Sequence, residues 1–222
     1  MYCIIQARSN SKRLPNKVMM KINGNTIIEH VINQVSKAKE INKIIVATSN
    51  SNKDLELTNL LKKKKIEFFR GNLNNVAKRF FNLIRKYDIK NFVRISADSP
   101  LIDPKIIDKV SKNFSDKKYD IVTNVFPRSY PKGLSVEVFR SKILLENYSK
   151  IEKKNEYKEH VSLFFYENSK KFKIKNISNK KNLNYINLSI DTIQDLNLIR
   201  LILKKKLNKL SWYNILTKLK LI

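Results

Sequence analysis

The chain has 222 residues, 42% of them hydrophobic, and a formal net charge of +27. This is a globular composition of one-domain size, read as a single domain over 1–222, which excludes a disordered chain; no apolar run is long enough to span a membrane. Cys3 is the sole cysteine, which excludes an intramolecular disulfide and a cysteine metal cluster, and it reads as a small buried residue of the first strand. The first residues lack the charged start and apolar core of a signal peptide, so a cytoplasmic location is expected. The 46 Lys and Arg against 19 Asp and Glu raise the question of nucleic acid. The cations are spread along the chain and form no block with interleaved aromatics. That favours a compositional bias and an anionic small substrate over nucleic-acid binding.

The first strand is the apolar run at 2–5. The chain then turns polar and cationic, with Arg8, Lys12, Arg13 and Lys17 interrupted by Ser9, Asn10 and Ser11 and stiffened by Pro15. Gly24 marks a turn, and Thr26 with Glu29 reads as a capping box opening a helix to about residue 39. A strand at 44–47, a helix at 54–65, a strand at 66–69 ended by Gly71, a helix at 76–87 and a strand at 92–96 follow. Pro104 opens a helix to residue 114, with Asp103 placed to cap it. A strand at 120–123 leads to an irregular stretch at 126–133, then a strand at 134–139. Helices are expected at 142–149 and 159–166, and strands at 171–177 and 185–189. A helix at 192–205 and a last segment at 210–219 close the chain. The alternation argues for an α/β fold with a mostly parallel central sheet and helices on both faces.

In such sheets ligands sit outside the carboxyl ends of the strands. The loop after the first strand suits a polyphosphate: backbone N–H groups and hydroxyls meet the oxygens, and Arg and Lys neutralise the charge. It is neither a Walker loop nor a dinucleotide fingerprint, because no Gly-Lys-Ser/Thr follows and the loop holds no glycine. A solvated charged loop would share its composition. Asp98 and Asp191 each follow an expected strand, where a carboxylate commonly holds Mg²⁺ beside phosphate oxygens. The competing reading is that each caps the next helix, which is stronger for Asp191 than for Asp98.

The order Gln6-Ala7-Arg8, Ser11, Arg13-Leu14-Pro15 and Lys17 resembles the nucleotide-binding loop of the sugar-acid cytidylyltransferases, nearest the branch of spore-coat polysaccharide synthesis. Members of that family activate 3-deoxy-manno-octulosonate and acylneuraminate with CTP. Asn10 and Asn16 stand where the family has Gly, and Asn is the residue that best tolerates a left-handed backbone after Gly. Further segments resemble the family in order: Arg70-Gly71 with Arg79-Phe80, Ala97-Asp98-Ser99-Pro100-Leu101-Ile102, residues 131–137 from Pro131 to Glu137, Glu159-His160-Val161, and Asp191-Thr192 with Asp195-Leu196. Lys132 and Ser135 stand where acidic residues are usual.

The resemblance implies a nucleotide-diphospho-sugar transferase fold and transfer of a cytidylyl group from CTP to an anionic sugar, with release of pyrophosphate. It implies nucleotide binding by Gln6, Ala7, Arg8, Ser9, Asn10, Ser11, Arg13 and Lys17, with Arg79 a further candidate. It implies substrate contacts from Gly133, Glu137 and His160, and Mg²⁺ on Asp98 and Asp191. Arg8, Lys17, Asp98 and Asp191 would form the catalytic group, His30 is structural, and a homodimer is allowed. Two alternatives stand beside it: a same-fold nucleotidyl- or glycosyltransferase with another donor, and a basic nucleic-acid-binding protein without catalysis.

Overall fold

The computed structural model describes residues 1–9, 11 and 13–222. Tyr2–Gln6 forms β1, whose apolar run is buried on both faces as a central parallel strand requires. A small hairpin, β2 (Lys21–Ile22) and β3 (Asn25–Thr26), turns at Gly24, where φ is +83°. Thr26 caps α1 (Ile27–Val35) in a complete capping box with Glu29. The chain continues through β4 (Lys43–Ser49), α2 (Leu55–Lys63), β5 (Phe68–Gly71), α3 (Val76–Lys86) and β6 (Asn91–Ser96). Asp103 caps α4 (Pro104–Lys112), with Pro104 in the first turn. Then come β7 (Ile121–Thr123), β8 (Glu137–Arg140), α5 (Ser141–Ile151), α6 (Asn155–Glu159), α7 (Leu163–Glu167), β9 (Ile174–Asn176), α8 (Ile193–Lys204) and α9 (Trp212–Lys218).

Among the described residues one seven-stranded sheet runs in the order β5-β4-β1-β6-β8-β7-β9. Its strands are parallel except β8, which runs antiparallel to both of its neighbours. Side-chain alternation splits the core in two. Cys3 and Ile5 of β1, Val93 and Ile95 of β6 and Val138 of β8 face α1, α2, α4, α8 and α9. Ile4, Phe92 and Phe139 face α3, α5, α6 and α7. Helices therefore cover both faces, as the alternation predicted. Phe92 stacks on Phe139, with ring centroids 5.4 Å apart, at the heart of the second layer.

Three expectations are corrected. Residues 185–189 form no strand: Asn187 makes a single bridge to Lys132, and its Oδ1 accepts from both the N–H and the hydroxyl of Ser189 (3.0 and 2.6 Å), folding the segment on itself. The helix expected at 159–166 is broken between α6 and α7, where His160 leaves helical geometry and Val161 inserts, fully buried, into the second core layer. Residues 134–136 precede β8, because Asn124 replaces the ladder there: its Nδ2 donates to the Leu134 carbonyl (2.8 Å) and its Oδ1 accepts from Val136 N–H (2.9 Å).

Candidate active site

β1 and β6 are neighbours in the sheet, so the cationic loop after Gln6 and the aspartate after Ser96 leave the same edge side by side. The loop is pinned at its start. Ala7 N–H still bonds the Ala47 carbonyl (3.0 Å), and Ser9 N–H donates to Asp54 Oδ1 (2.7 Å). The other Asp54 oxygen accepts from the Thr48 hydroxyl (2.9 Å) and from the N–H (3.0 Å) and hydroxyl of Ser49. Burial pushes the Asp54 carboxyl up, but the hydrogen bonds from Ser49, Ser9 and Thr48 outweigh it and hold the group below the usual carboxylate range. The Ser9 carbonyl closes the loop by accepting from Ser11 and Asn16 N–H, both at 2.9 Å. Asn16 stands at φ 55°, the left-handed geometry anticipated for an Asn in a Gly position.

This loop delivers Lys17 into the cleft. Its Nζ lies 3.1 Å from Asp98 Oδ2, 3.0 Å from Asp191 Oδ1 and 2.5 Å from the Ile190 carbonyl. Asp191 is brought there by a backbone bond, Ile190 N–H to the Asp98 carbonyl (2.8 Å). Neither aspartate caps a helix: Thr192 caps α8 with Asp195 as its reciprocal partner, and Asp103 caps α4. Both carboxylates therefore face one cationic point. Arg13 adds a second cation 3.1 Å from Asp191 Oδ1, and Arg8 forms a two-contact pair with Glu159 at the end of α6.

A cavity of about 910 Å³ is lined by Gln6, Ala7, Arg8, Ser11, Arg13, Lys17, Asp98, Glu159, His160 and Asp191 among others. A second, of about 430 Å³, is lined by Asp98, Arg128, Lys132, Gly133, Ser135, Glu137, Tyr166 and Ser189 among others. The two share Arg94, Ser96 and Asp98. Gln6 Oε1 accepts from Arg94 Nε (3.1 Å) and Nη2 (2.9 Å), and Arg94 Nη1 pairs with Glu137. The other Glu137 oxygen accepts from the Tyr166 hydroxyl at 2.6 Å. Burial, then the Glu137 charge, holds the Tyr166 phenol well above its ordinary value, so it remains a donor. Gly133 stands at φ +88°, and a Cβ there would lie 2.5 Å from the Leu188 carbonyl carbon, so only glycine lets the two backbones meet at this wall.

The structure thus brings Gln6, Ala7, Arg8, Ser11, Arg13, Lys17, Asp98, His160 and Asp191 to one cavity, and Gly133 and Glu137 to the other. Glu137 is buried, not an exposed strand residue. Ser9 is buried in the loop and absent from both linings, and Asn10 lies outside the described residues. Arg79 is corrected: it is fully buried under the cleft, and its guanidinium donates to the carbonyls of Asn72, Leu73 and Ala47. Burial lowers its pKa to about 10, and it holds the β5–α3 connection. His30 is structural, with Nε2 2.9 Å from the Ile22 carbonyl. Sequence reasoning missed Arg94, Arg128 and Tyr166, and it named Glu159 without giving it a role. Arg94 had a signal, a lone cation between apolar neighbours in a central strand.

The donor set fits a hard cation. No three His, Cys, Asp or Glu side chains converge among the described residues, but Asp98 and Asp191 already meet at one positive group. Two carboxylates with phosphate oxygens completing the shell is the usual Mg²⁺ arrangement.

A mostly parallel α/β sheet with a cationic loop and paired carboxylates at its carboxyl edge is the arrangement of the nucleotide-diphospho-sugar transferase fold. The chain belongs to the cytidylyltransferase family, whose model matches residues 2–218. It is 26% identical over 209 residues to the spore coat polysaccharide biosynthesis protein SpsF of Bacillus subtilis, covering 91% of this chain and 85% of that protein. It is 29% identical to a 3-deoxy-manno-octulosonate cytidylyltransferase of Wigglesworthia glossinidia brevipalpis, covering 73% and 74%. The solved structure of a cytidylyltransferase from Leptospira borgpetersenii is similar with a TM-score of 0.90 at 28% identity, over 99% of this chain and 93% of that one. No helix among the described residues is long and apolar enough to cross a membrane.

Proposed function

We propose that the chain transfers a cytidylyl group from CTP to a sugar acid, releasing pyrophosphate, in the synthesis of a surface polysaccharide. The observation that carries this reading is the meeting of Lys17, Asp98 and Asp191 where a cationic cavity of about 910 Å³ shares a wall with a second of about 430 Å³. The larger cavity takes the nucleotide. Arg8, Arg13 and Lys17 exchange their carboxylate partners for phosphate oxygens, and charge-assisted bonds then hold the triphosphate in line. The smaller cavity takes the acceptor, whose hydroxyl reaches the α-phosphorus across the shared wall of Arg94, Ser96 and Asp98.

Asp98 and Asp191 would hold Mg²⁺, which when bound supplies Lewis-acid stabilisation of the phosphate charge. Lys17, released from the aspartates, adds its charge to the phosphates as negative charge moves to the leaving pyrophosphate. The likeness to SpsF supports the surface-polysaccharide setting, and the likeness to a 3-deoxy-manno-octulosonate cytidylyltransferase supports CTP and the sugar acid.

The test is pyrophosphate release from each of the four nucleoside triphosphates against a panel of sugar acids and neutral sugars. CTP with a sugar acid is the expected productive pair. Equal turnover with a purine nucleotide would assign the chain to another donor. No release with any pair, together with steeply salt-dependent RNA or DNA binding, would favour the non-catalytic alternative.

A further inference from the structure

The acceptor cavity carries more positive charge than its own acids balance. Five charged side chains line it: Arg94, Asp98, Arg128, Lys132 and Glu137. Arg94 and Glu137 neutralise each other, and Asp98 is matched by Lys17. Arg128 and Lys132 remain. Neither forms an ion pair among the described residues, and Arg128 Nη1 has only the Ser135 hydroxyl, at 3.0 Å.

Arg128 is half-buried, and burial lowers its pKa, with the Glu137 charge pulling the other way. A partly desolvated guanidinium without a carboxylate is costly unless a ligand completes it. Its position is fixed from both sides. The turn after β7 closes through a bridge between Val125 and Arg128, while Ser135 sits two residues beyond Gly133, whose lack of a Cβ sets that wall. Arg128, Lys132 and Ser135 line only the smaller cavity, on the wall the larger cavity does not share, so they face the acceptor and not the nucleotide.

We infer that Arg128, oriented by Ser135 and assisted by Lys132 at the exposed rim, is the anion-recognition residue of the acceptor cavity. It binds the carboxylate of the sugar acid through its planar fork and so selects acidic sugars over neutral ones. The inference rests on the proposed function and deepens it. A guanidinium suits this task because two parallel N–H groups match two carboxylate oxygens, which an ammonium cannot do.

The experiment compares wild type, Arg128→Gln, Arg128→Lys and Ser135→Ala. Each is tested with the best sugar acid from a panel of 3-deoxy-manno-octulosonate, N-acetylneuraminate and glucuronate, and with the neutral carboxamide of that acid. Nucleotide binding and melting temperature are measured alongside.

Arg128→Gln is expected to raise KM for the acid roughly ten- to hundredfold, the worth of one charge-assisted contact, with KM for CTP unchanged. For the carboxamide, wild type and Arg128→Gln should differ little, because the charge they would exchange is absent. Arg128→Lys should lie between, and Ser135→Ala should raise the acid KM by a smaller factor. Ser135→Ala also tests the inference if Arg128→Gln does not fold.

An equal effect of Arg128→Gln on acid and carboxamide, or an unchanged acid KM, overturns the assignment and leaves the proposed function standing. Wild-type turnover confined to neutral sugars, or no turnover with any panel member, overturns both.

Discussion

Lys17 holds two carboxylates together, and the pair decides what its neighbours are for. With Nζ about equally far from Asp98 and Asp191, one ammonium holds both carboxylates at the place where the proposed reading puts Mg²⁺. Removing the charge of either aspartate should therefore abolish metal-dependent turnover without unfolding the protein. Asn keeps the size of Asp, and neither residue caps a helix, so Asp98→Asn and Asp191→Asn should melt within about 1 kcal/mol of wild type. A loss of stability above that with catalysis intact would return both residues to a structural role. Lys17→Ala should weaken nucleotide binding by about 1.5–3 kcal/mol, read as a rise in the CTP dissociation constant. The sequence displayed this site well, because its residues belong to one loop and two short motifs at element ends. It hid Arg128 and marked Arg94 only as a lone cation in an apolar strand, because the meaning of each depends on what lies across the cleft: Gln6 and Glu137 for Arg94, Ser135 for Arg128. It misled on Arg79, since a cation near the start of a helix reads the same whether it meets a phosphate or three buried carbonyls.

The loop between β1 and α1 is held by an element that sequence alone does not tie to it. Asp54, at the start of α2, joins the carboxyl end of β4 to the loop through Ser9. Its folded pKa lies below the ordinary value, so the unfolded state takes up protons first as pH falls. The stability it contributes is fully present above the unfolded pKa of about 3.9 and disappears as pH drops through the lower folded value. Glu29 and Asp195, both in capping boxes, are held low and act in the same direction. Thermal melts should fall as pH drops below about 4, and Asp54→Asn should flatten part of that slope while lowering the melting temperature at pH 7. An unaltered slope in Asp54→Asn would show that other carboxylates carry the acid sensitivity. Elements with their own caps, such as α1 and α4, were legible because the signal is local: Thr26 with Glu29, Asp103 with Pro104. Residues 185–189 were not, because an apolar-polar alternation is blind to Asn187 folding the backbone onto itself.

At the scale of the whole molecule the unresolved quantity is charge. The ten ion pairs among the described residues engage only Arg8, Arg13, Lys17, Lys43, Lys64, Lys90, Arg94, Arg140 and Lys142, out of 46 Lys and Arg in the chain. The parallel strands and paired helix layers were readable because hydrophobic spacing dominates them, and +27 does not disturb a core made of apolar residues. The charge acts instead on the balance between folded and unfolded chains. Folding brings like charges closer, and self-repulsion then works against the compact state. Salt shortens the reach of that repulsion: the Debye length falls from about 30 Å at 0.01 M to about 10 Å at 0.1 M. Raising NaCl over that interval should therefore raise the melting temperature, most steeply at the low end. Over the same interval CTP binding should weaken, because the cationic cleft loses long-range attraction for a polyanion as it is screened. Opposite slopes for stability and affinity in one salt series identify the charge as a cost to the fold and a benefit to the site. A melting temperature that falls with salt would mean that the few ion pairs outweigh the many unpaired cations, and the compositional reading of the charge would fail with it.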